Sequence, residues 1–402
     1  MIRQHCYAEQ TMPQGTSPLR DFLRTEAAGG ICLLAGAAVA LLWANSPWSS
    51  SYESLWNTTV SITVRDHTLM LALREWVNQG LITIFFFVVG LEIKRELVSG
   101  TLAGKRAAFL PVLAAIGGMA APAVIYLAIA DGSTARGWAI VVATDIPLAL
   151  GVLAIAGGRV SPALRVYLLA IAIVDDIASL LIIAAVYSTG VGWLWLAAAL
   201  AVFVLAAFAK RSGVNQIWVY VGLGCLLWLM LHVAGVSPTL AGVAMGVLAP
   251  TTPRTDEPGA VSVVEWLERL LHPWTSFAIV PLFALANTGV TLSMGLLHSA
   301  IHSRLPWAII AARVIGKPLG ILVATKLAVR ARLADQPGGA STRLLGVAAS
   351  AGMGFTVALF VTELALPNHA QRANATLAIV VSAVLAGGVS LAILGLRRGE
   401  AA

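Results

Sequence analysis

Two adjacent aspartates, Asp175 and Asp176, stand midway along an apolar run from Pro162 to Tyr187. Thirteen residues separate Pro162 from Asp175. That is about 20 Å of helix, which ends near the middle of a hydrocarbon layer roughly 30 Å thick. An acid at that depth is costly unless it is protonated, paired or facing water. Two carboxylates side by side cannot easily both ionise, and they titrate as a coupled pair. A proton stabilises the pair, and so does a hard cation that takes oxygen ligands. The two occupants exclude each other. A site that is either protonated or cation-loaded, and is reached from each side of a membrane in turn, exchanges one ion for the other. The expected ligands are Asp175, Asp176, the Thr144 hydroxyl and carbonyls freed by a broken helix.

Three further charges lie at the same depth. In Ala143-Thr144-Asp145-Ile146-Pro147, Asp145 is eight residues inside Gly137. Pro147 removes a backbone donor and disfavours helical geometry just before it. An interrupted helix is expected there, the alternative being a proline kink with a locally bonded aspartate. Gly352 and Gly354, in Ser350-Ala-Gly-Met-Gly-Phe-Thr356, mark either close helix packing or a second interruption. Lys317 lies twelve residues in from Leu305 and needs a partner, which Asp145, Asp175 or Asp176 can supply. It is expected to pair with Asp175 when the site is empty or protonated. Ends of half-helices carry partial charges, so Asp145 would answer positive ends and a cation negative ones. Arg313 is one turn before Lys317 on the same helical face; no role is assigned to it, an outer aqueous funnel being one place it could face. Glu92, Arg95 and Glu96 close one apolar run, and Glu268, Arg269 and His272 open another. These two clusters fit one shared cytoplasmic vestibule as well as two solvated helix ends.

These groups need a scaffold, and composition names its class. Of the residues 58% are hydrophobic and 11% charged, where a soluble chain has about 25% charged. This is an all-α polytopic membrane protein. The net charge of +7 is assigned to topology-setting loops rather than to nucleic acid. Three cysteines at scattered positions form neither a disulfide framework nor a metal-site spacing, and no cofactor is expected.

A cytoplasmic tail over 1–20 leads into one membrane domain, 21–398, with a short tail at 399–402. The first apolar run, 22–45, is read as a retained helix rather than a signal peptide. The segment 46–73 is too polar to span, and within it Val60–Val64, a turn at Arg65–His67 and Leu69–Leu71 fit a short external β-hairpin or an irregular loop. Further apolar runs lie near 74–98, 107–130, 137–157, 162–187, 192–209, 214–235, 238–250, 271–297, 305–328, 342–365 and 373–396, making twelve. With an inside N-terminus, alternating segments hold 19 basic residues on one side and 5 on the other, so both termini are expected in the cytoplasm. Asp145 lies in the middle run of the triplet 3–5, and Gly352 in the middle run of 10–12. Interruptions at matching places in two halves point to inverted repeats with a site between them.

Gly90-Leu-Glu-Ile-Lys-Arg-Glu-Leu97, Ala143-Thr-Asp-Ile146, Ile173-Val-Asp-Asp-Ile177, Thr239-Leu-Ala-Gly-Val243, Gly316-Lys-Pro-Leu-Gly320 and Gly354-Phe-Thr356 closely resemble the NhaA family of bacterial sodium/proton antiporters. The resemblance runs in order over roughly residues 20–396. It implies twelve transmembrane helices, with spans 4 and 11 broken and crossing. It implies exchange of cytoplasmic Na+ or Li+ for external H+ at Asp175 and Asp176, with Asp145 and Lys317 balancing the helix ends near Pro147, Gly352 and Gly354. It further implies a pH-responsive funnel around Glu92, Arg95 and Glu268, a bacterial inner-membrane location among lipids, and a homodimer joined through the hairpin near 59–71. Three positions depart from well-known members: Ser237 and Arg269 stand in place of histidines, and Gln79 in place of an aspartate. The family's pH threshold is not carried over with them. Three rival classes fit less well, the least of them a cation channel, because the lysine and the tight carboxylate site favour trapping over flow. A proton- or sodium-coupled carrier of a small organic solute would need a roomier polar site. An intramembrane aspartyl protease would need two aspartates facing each other from separate helices.

Overall fold

The computed structural model describes residues 18–395 apart from 65–66, 101–103, 189, 215, 253–260, 336 and 338–340. Most of the N-terminal tail, the whole 399–402 tail and the expected turn at Arg65 and Asp66 lie outside the described residues. Every apolar run named above carries helix. Among the described residues seven helices are long and apolar enough to cross a membrane, or eight if the pair Ala135–Val141 and Ile146–Arg159, bent by 43° at its break, is one span. Large apolar side chains such as Leu42, Leu194 and Trp218 point outward, as they must where the surrounding solvent is lipid.

The polar segment after the first helix holds more order than its composition suggests. Strands Thr59–Val64 and His67–Ala72 pair antiparallel, with Thr59 opposite Ala72 and Val64 opposite His67. The hairpin expectation therefore holds, with His67 in the strand rather than the turn. Ahead of it lies a helix the polar composition hid, Ser49–Asn57. It is anchored by Tyr52 and Trp56, four residues apart and both buried. The Tyr52 hydroxyl donates to the carbonyl of Leu285 at 2.8 Å and accepts from the Gly289 N–H at 3.1 Å. Burial pushes the Tyr52 phenol up to about 12, so it stays a neutral donor over the whole physiological range.

The ninth run also needs correction. Its helix starts at Val263 and continues to Asn287, and a separate helix, Met294–His302, follows. Glu265, Glu268 and Arg269, the charged opening of this run, form its first helical turns. They are helical because Ser262 caps the end, accepting from the Glu265 N–H at 3.2 Å, and because Val264, Leu267 and Leu271 form an apolar stripe.

Two glycine contacts fix how the helices around the site approach. A Cβ on Gly242 would stand 2.1 Å from the Thr83 carbonyl oxygen, so Leu240–Leu248 lies directly on Ile82–Val98. A Cβ on Gly320 would stand 2.1 Å from the Gly117 carbonyl oxygen, which seats Lys317–Arg330 against Lys105–Ile129. Among the described residues three helices contain a π-helical turn, at Trp76–Leu81, Thr275–Ile279 and Ala312–Gly316. Such turns shift the side chains that follow them and often sit beside functional groups. The last immediately precedes Lys317.

Candidate functional site

Both interruptions are present, and they touch. The fourth run breaks into a 3-10 segment, Ala135–Val141, and an α-helix, Ile146–Ala156, with 142–145 between them. The eleventh breaks into Ser341–Ser350 and Thr356–Ala365. The Asp145 N–H donates to the Met353 carbonyl at 2.8 Å, so the two non-helical stretches share a backbone hydrogen bond. Unpaired backbone at membrane depth is tolerable only when protein or water satisfies it, and the neighbouring side chains do much of this. Asp145 Oδ1 accepts from the Leu148 N–H at 3.3 Å. Its Oδ2 accepts from the Thr356 N–H at 3.2 Å and the Thr356 hydroxyl at 2.9 Å. One carboxylate thus lies at the N-terminal ends of two half-helices, where partial positive charge collects.

Lys317 provides the opposite sign. Its ammonium donates to the Val142 carbonyl and pairs with Asp175 Oδ2 at 2.8 Å, with both side chains fully buried. Asp175 Oδ2 also accepts from the Thr144 hydroxyl at 2.8 Å, and the same hydroxyl lies 3.1 Å from the Ala351 carbonyl oxygen. Ser161 starts the helix that carries the doublet, accepting from the Leu164 N–H at 3.3 Å, with Pro162 in the first turn.

The two adjacent aspartates are not equivalent. Asp175 is fully buried and held by Lys317 and Thr144, whereas Asp176 is partly exposed and lines a cavity of about 70 Å³. That is room for a few water molecules. Asp176 Oδ1 has no hydrogen-bond partner among the described residues. Thr144, Asp145, Thr356, Glu92, Arg95 and His272 line the same cavity. Arg95 pairs with Glu268 and stands 3.8 Å from Glu96, so the two charge clusters meet across helices. Arg269 is exposed and does not line the cavity.

Arg313 is where the sequence reading runs out. It does not face an aqueous funnel but is completely buried. A position one turn from Lys317 gives its face of the helix, and that face points into the break of the eleventh run. Residues beyond the expected set also line the cavity, namely Thr275 and Ser276 on a π-helical turn. Ser179 has a buried hydroxyl without a partner among the described residues. It is three residues after Asp176 and four after Asp175, a spacing that shares a helical face with both and could have marked it.

Two of the three positions that depart from the resemblance, Gln79 and Ser237, find local partners. The Gln79 amide oxygen is 2.9 Å from His232 Nδ1, and His232 stacks on Trp228 with centroids 5.4 Å apart. The Ser237 hydroxyl is 2.7 Å from that of Thr239.

The sequence profile of the family described as Na+/H+ antiporter 1 matches residues 20–394. A Na(+)/H(+) antiporter NhaA of Acidovorax sp. (strain JS42) is 44% identical over 381 residues, covering 94% of this chain and 91% of that protein. A Na(+)/H(+) antiporter NhaA 2 of Sorangium cellulosum (strain So ce56) is 42% identical, covering 96% and 91%. A Na(+)/H(+) antiporter NhaA of Yersinia pseudotuberculosis serotype O:1b (strain IP 31758) is 42% identical, covering 95% and 97%.

Proposed function

The chain belongs to the Na+/H+ antiporter 1 family, and on that footing we propose that this multi-pass membrane transporter exchanges Na+ for H+ at the carboxylates of Asp175 and Asp176. The observation that carries the reading is the inequality of the doublet. Asp175 is fully buried and tied through one oxygen to Lys317 and Thr144, while Asp176 is partly exposed, lines a water-sized cavity and has an oxygen without a partner among the described residues. A bare carboxylate there holds a proton or an alkali cation and cannot hold both. Asp176, Asp175 and the Thr144 hydroxyl are the oxygen donors for Na+ or Li+. As the cation draws on Asp175, Lys317 loses its counterion, and a buried ammonium without one is unfavourable. The pair is thus a store for a second proton, which makes the exchange electrogenic. Each net charge moved then draws about 2.3 kcal/mol per 100 mV from the membrane potential.

In this reading twelve helices cross the bacterial inner membrane with both termini cytoplasmic. Spans 3–5 and 10–12 are inverted repeats, and their interrupted members cross at the site. Asp145 balances the ends near Pro147 and Gly354, and Lys317 those on the other side. Cytoplasmic Na+ leaves through the vestibule of Glu92, Arg95, Glu96, Glu268, Arg269 and His272, which tunes the response to pH, and external H+ returns. Two copies associate through the 59–71 hairpin. A cavity of about 70 Å³ argues against an organic solute as cargo, and the adjacent, unequal aspartates argue against a shared-proton protease dyad.

The test is Asp176→Asn in proteoliposomes, with internal pH followed by a fluorescent dye. Sodium-dependent proton movement is expected to fall to background at unchanged protein incorporation. Full exchange by this variant would overturn the reading.

A further inference from the structure

Resting on the exchange reading above, we propose that Arg313 is a permanent positive charge of the cation site, beside the proton-exchanging Lys317, which positions the crossing of the two broken helices and weakens the site's hold on its cargo. Its side chain is fully buried and abuts the interruption of the eleventh run. A Cβ on Gly354 would stand 1.9 Å from Arg313 Nη2 and 2.4 Å from the Ala143 carbonyl oxygen. The guanidinium, the glycine and a carbonyl of the other broken helix therefore meet at one point. A Cβ on Gly352 would stand 2.5 Å from the Arg313 carbonyl oxygen, so both glycines are the space this residue occupies. The guanidinium donates to the Ser382 hydroxyl at 3.3 Å, and its Nε and Nη2 have no hydrogen-bond partner among the described residues.

An arginine stays charged in any protein environment, so a buried one with few hydrogen bonds needs charge nearby to hold it there. Asp145 is the acid at the same crossing, its N–H bonded at 2.8 Å to the carbonyl of Met353, the neighbour of Gly354, and Lys317 follows Arg313 by one helical turn. Lys317 answers Asp175 by direct contact, and Arg313 answers Asp145 through space. One oxygen of each aspartate, Asp175 Oδ1 and Asp176 Oδ1, has no hydrogen-bond partner among the described residues. A fixed cation against Ala143, the neighbour of the ligand candidate Thr144, repels an incoming one, which favours release over trapping. That is an advantage in a carrier, where binding must be reversible on both sides.

The test uses full-length protein purified in detergent and titrated with NaCl at constant ionic strength, with the unfolding temperature as readout. Arg313→Gln keeps hydrogen-bond donors and removes the charge. Its midpoint for Na+-induced stabilisation is expected about ten-fold below that of the wild type, the order of effect of one unit charge acting across a protein interior. Arg313→Lys should restore the wild-type midpoint. A purely structural role would lower the unfolding temperature without Na+ and leave the midpoint in place, which would overturn the inference while exchange by the wild type in proteoliposomes still stood. If Arg313→Gln does not fold, the pair Arg313→Gln with Asp145→Asn removes one charge of each sign. Its midpoint is compared with Asp145→Asn alone, and again a ten-fold lower value supports the inference and an equal value overturns it.

Discussion

At the scale of single residues, the centre of the molecule is a set of charges that exist only because others oppose them. Lys317 and Asp175 are both fully buried and 2.8 Å apart. Each alone would be an uncompensated ion in a low-dielectric interior. Removing one partner of such a pair costs about 3–5 kcal/mol, far more than the intact pair contributes over apolar replacements. Lys317→Ala is therefore expected to lower the unfolding temperature of the purified protein sharply, because it strands Asp175 and leaves the Val142 carbonyl without its donor. The double variant Lys317→Ala, Asp175→Asn should regain part of the loss, since the stranded charge is gone. Melting curves for wild type and Lys317→Ala that superimpose would show that the pair carries no weight in the fold. The same reasoning explains why this part of the site was legible from counting alone. Depth along an apolar run gives the cost of a charge, and cost demands a partner. Counting gives no partner's direction, which is why the sequence assigns Arg313 no role although it is buried against Gly354.

At the scale of elements, the two interrupted helices do what an intact helix cannot. They place free backbone ends and a carboxylate at mid-membrane, and they contact each other through Asp145 and Met353. Proline, an aspartate and two glycines within a few residues marked both interruptions. Their mutual contact was beyond any local pattern, since its partners are some two hundred residues apart. The helix Ser49–Asn57 escaped notice for a related reason, because what holds it is tertiary, through Tyr52 and Trp56, and not its own polar composition. The crossing makes a sharp prediction. Gly354→Ala would drive a methyl group into Arg313 Nη2 and the Ala143 carbonyl, at 1.9 and 2.4 Å. The guanidinium can swing aside, but the carbonyl is backbone and cannot retreat without separating the broken helices. Folding yield or transport is expected to fall at least ten-fold. Gly388→Ala, whose Cβ would have nothing within 4 Å, should be silent in the same proteoliposome assay. Equal behaviour of the two alanines would mean that the crossing tolerates a methyl group and is looser than its contacts indicate.

At the scale of the whole molecule, one short helix decides the orientation of half the chain. Leu240–Leu248 has nine residues, about 14 Å of helix, against a hydrocarbon layer of roughly 30 Å. If it crosses with the extended chain at its ends, an odd number of crossings separates the loop near Ser99 from the loop near His302, and the two face opposite sides. If it does not, they face the same side. The triplets 3–5 and 10–12 leave from those two loops, so they are inverted repeats only in the first case. Ser99 and His302 are both exposed, which makes them suitable probes. In a chain with Cys6, Cys32 and Cys225 replaced by serine, Ser99→Cys and His302→Cys are labelled separately with a membrane-impermeant maleimide. His302→Cys should react in intact cells, and Ser99→Cys only in inverted vesicles. The close seating of Gly242 on the Thr83 carbonyl favours that outcome, because it ties the short helix along the second span at membrane depth rather than letting it lie on the surface. Reaction of both cysteines from one side would remove the inversion. The contact between the two broken helices would remain, but the exchange mechanism would lose the symmetry that lets one site open to either side.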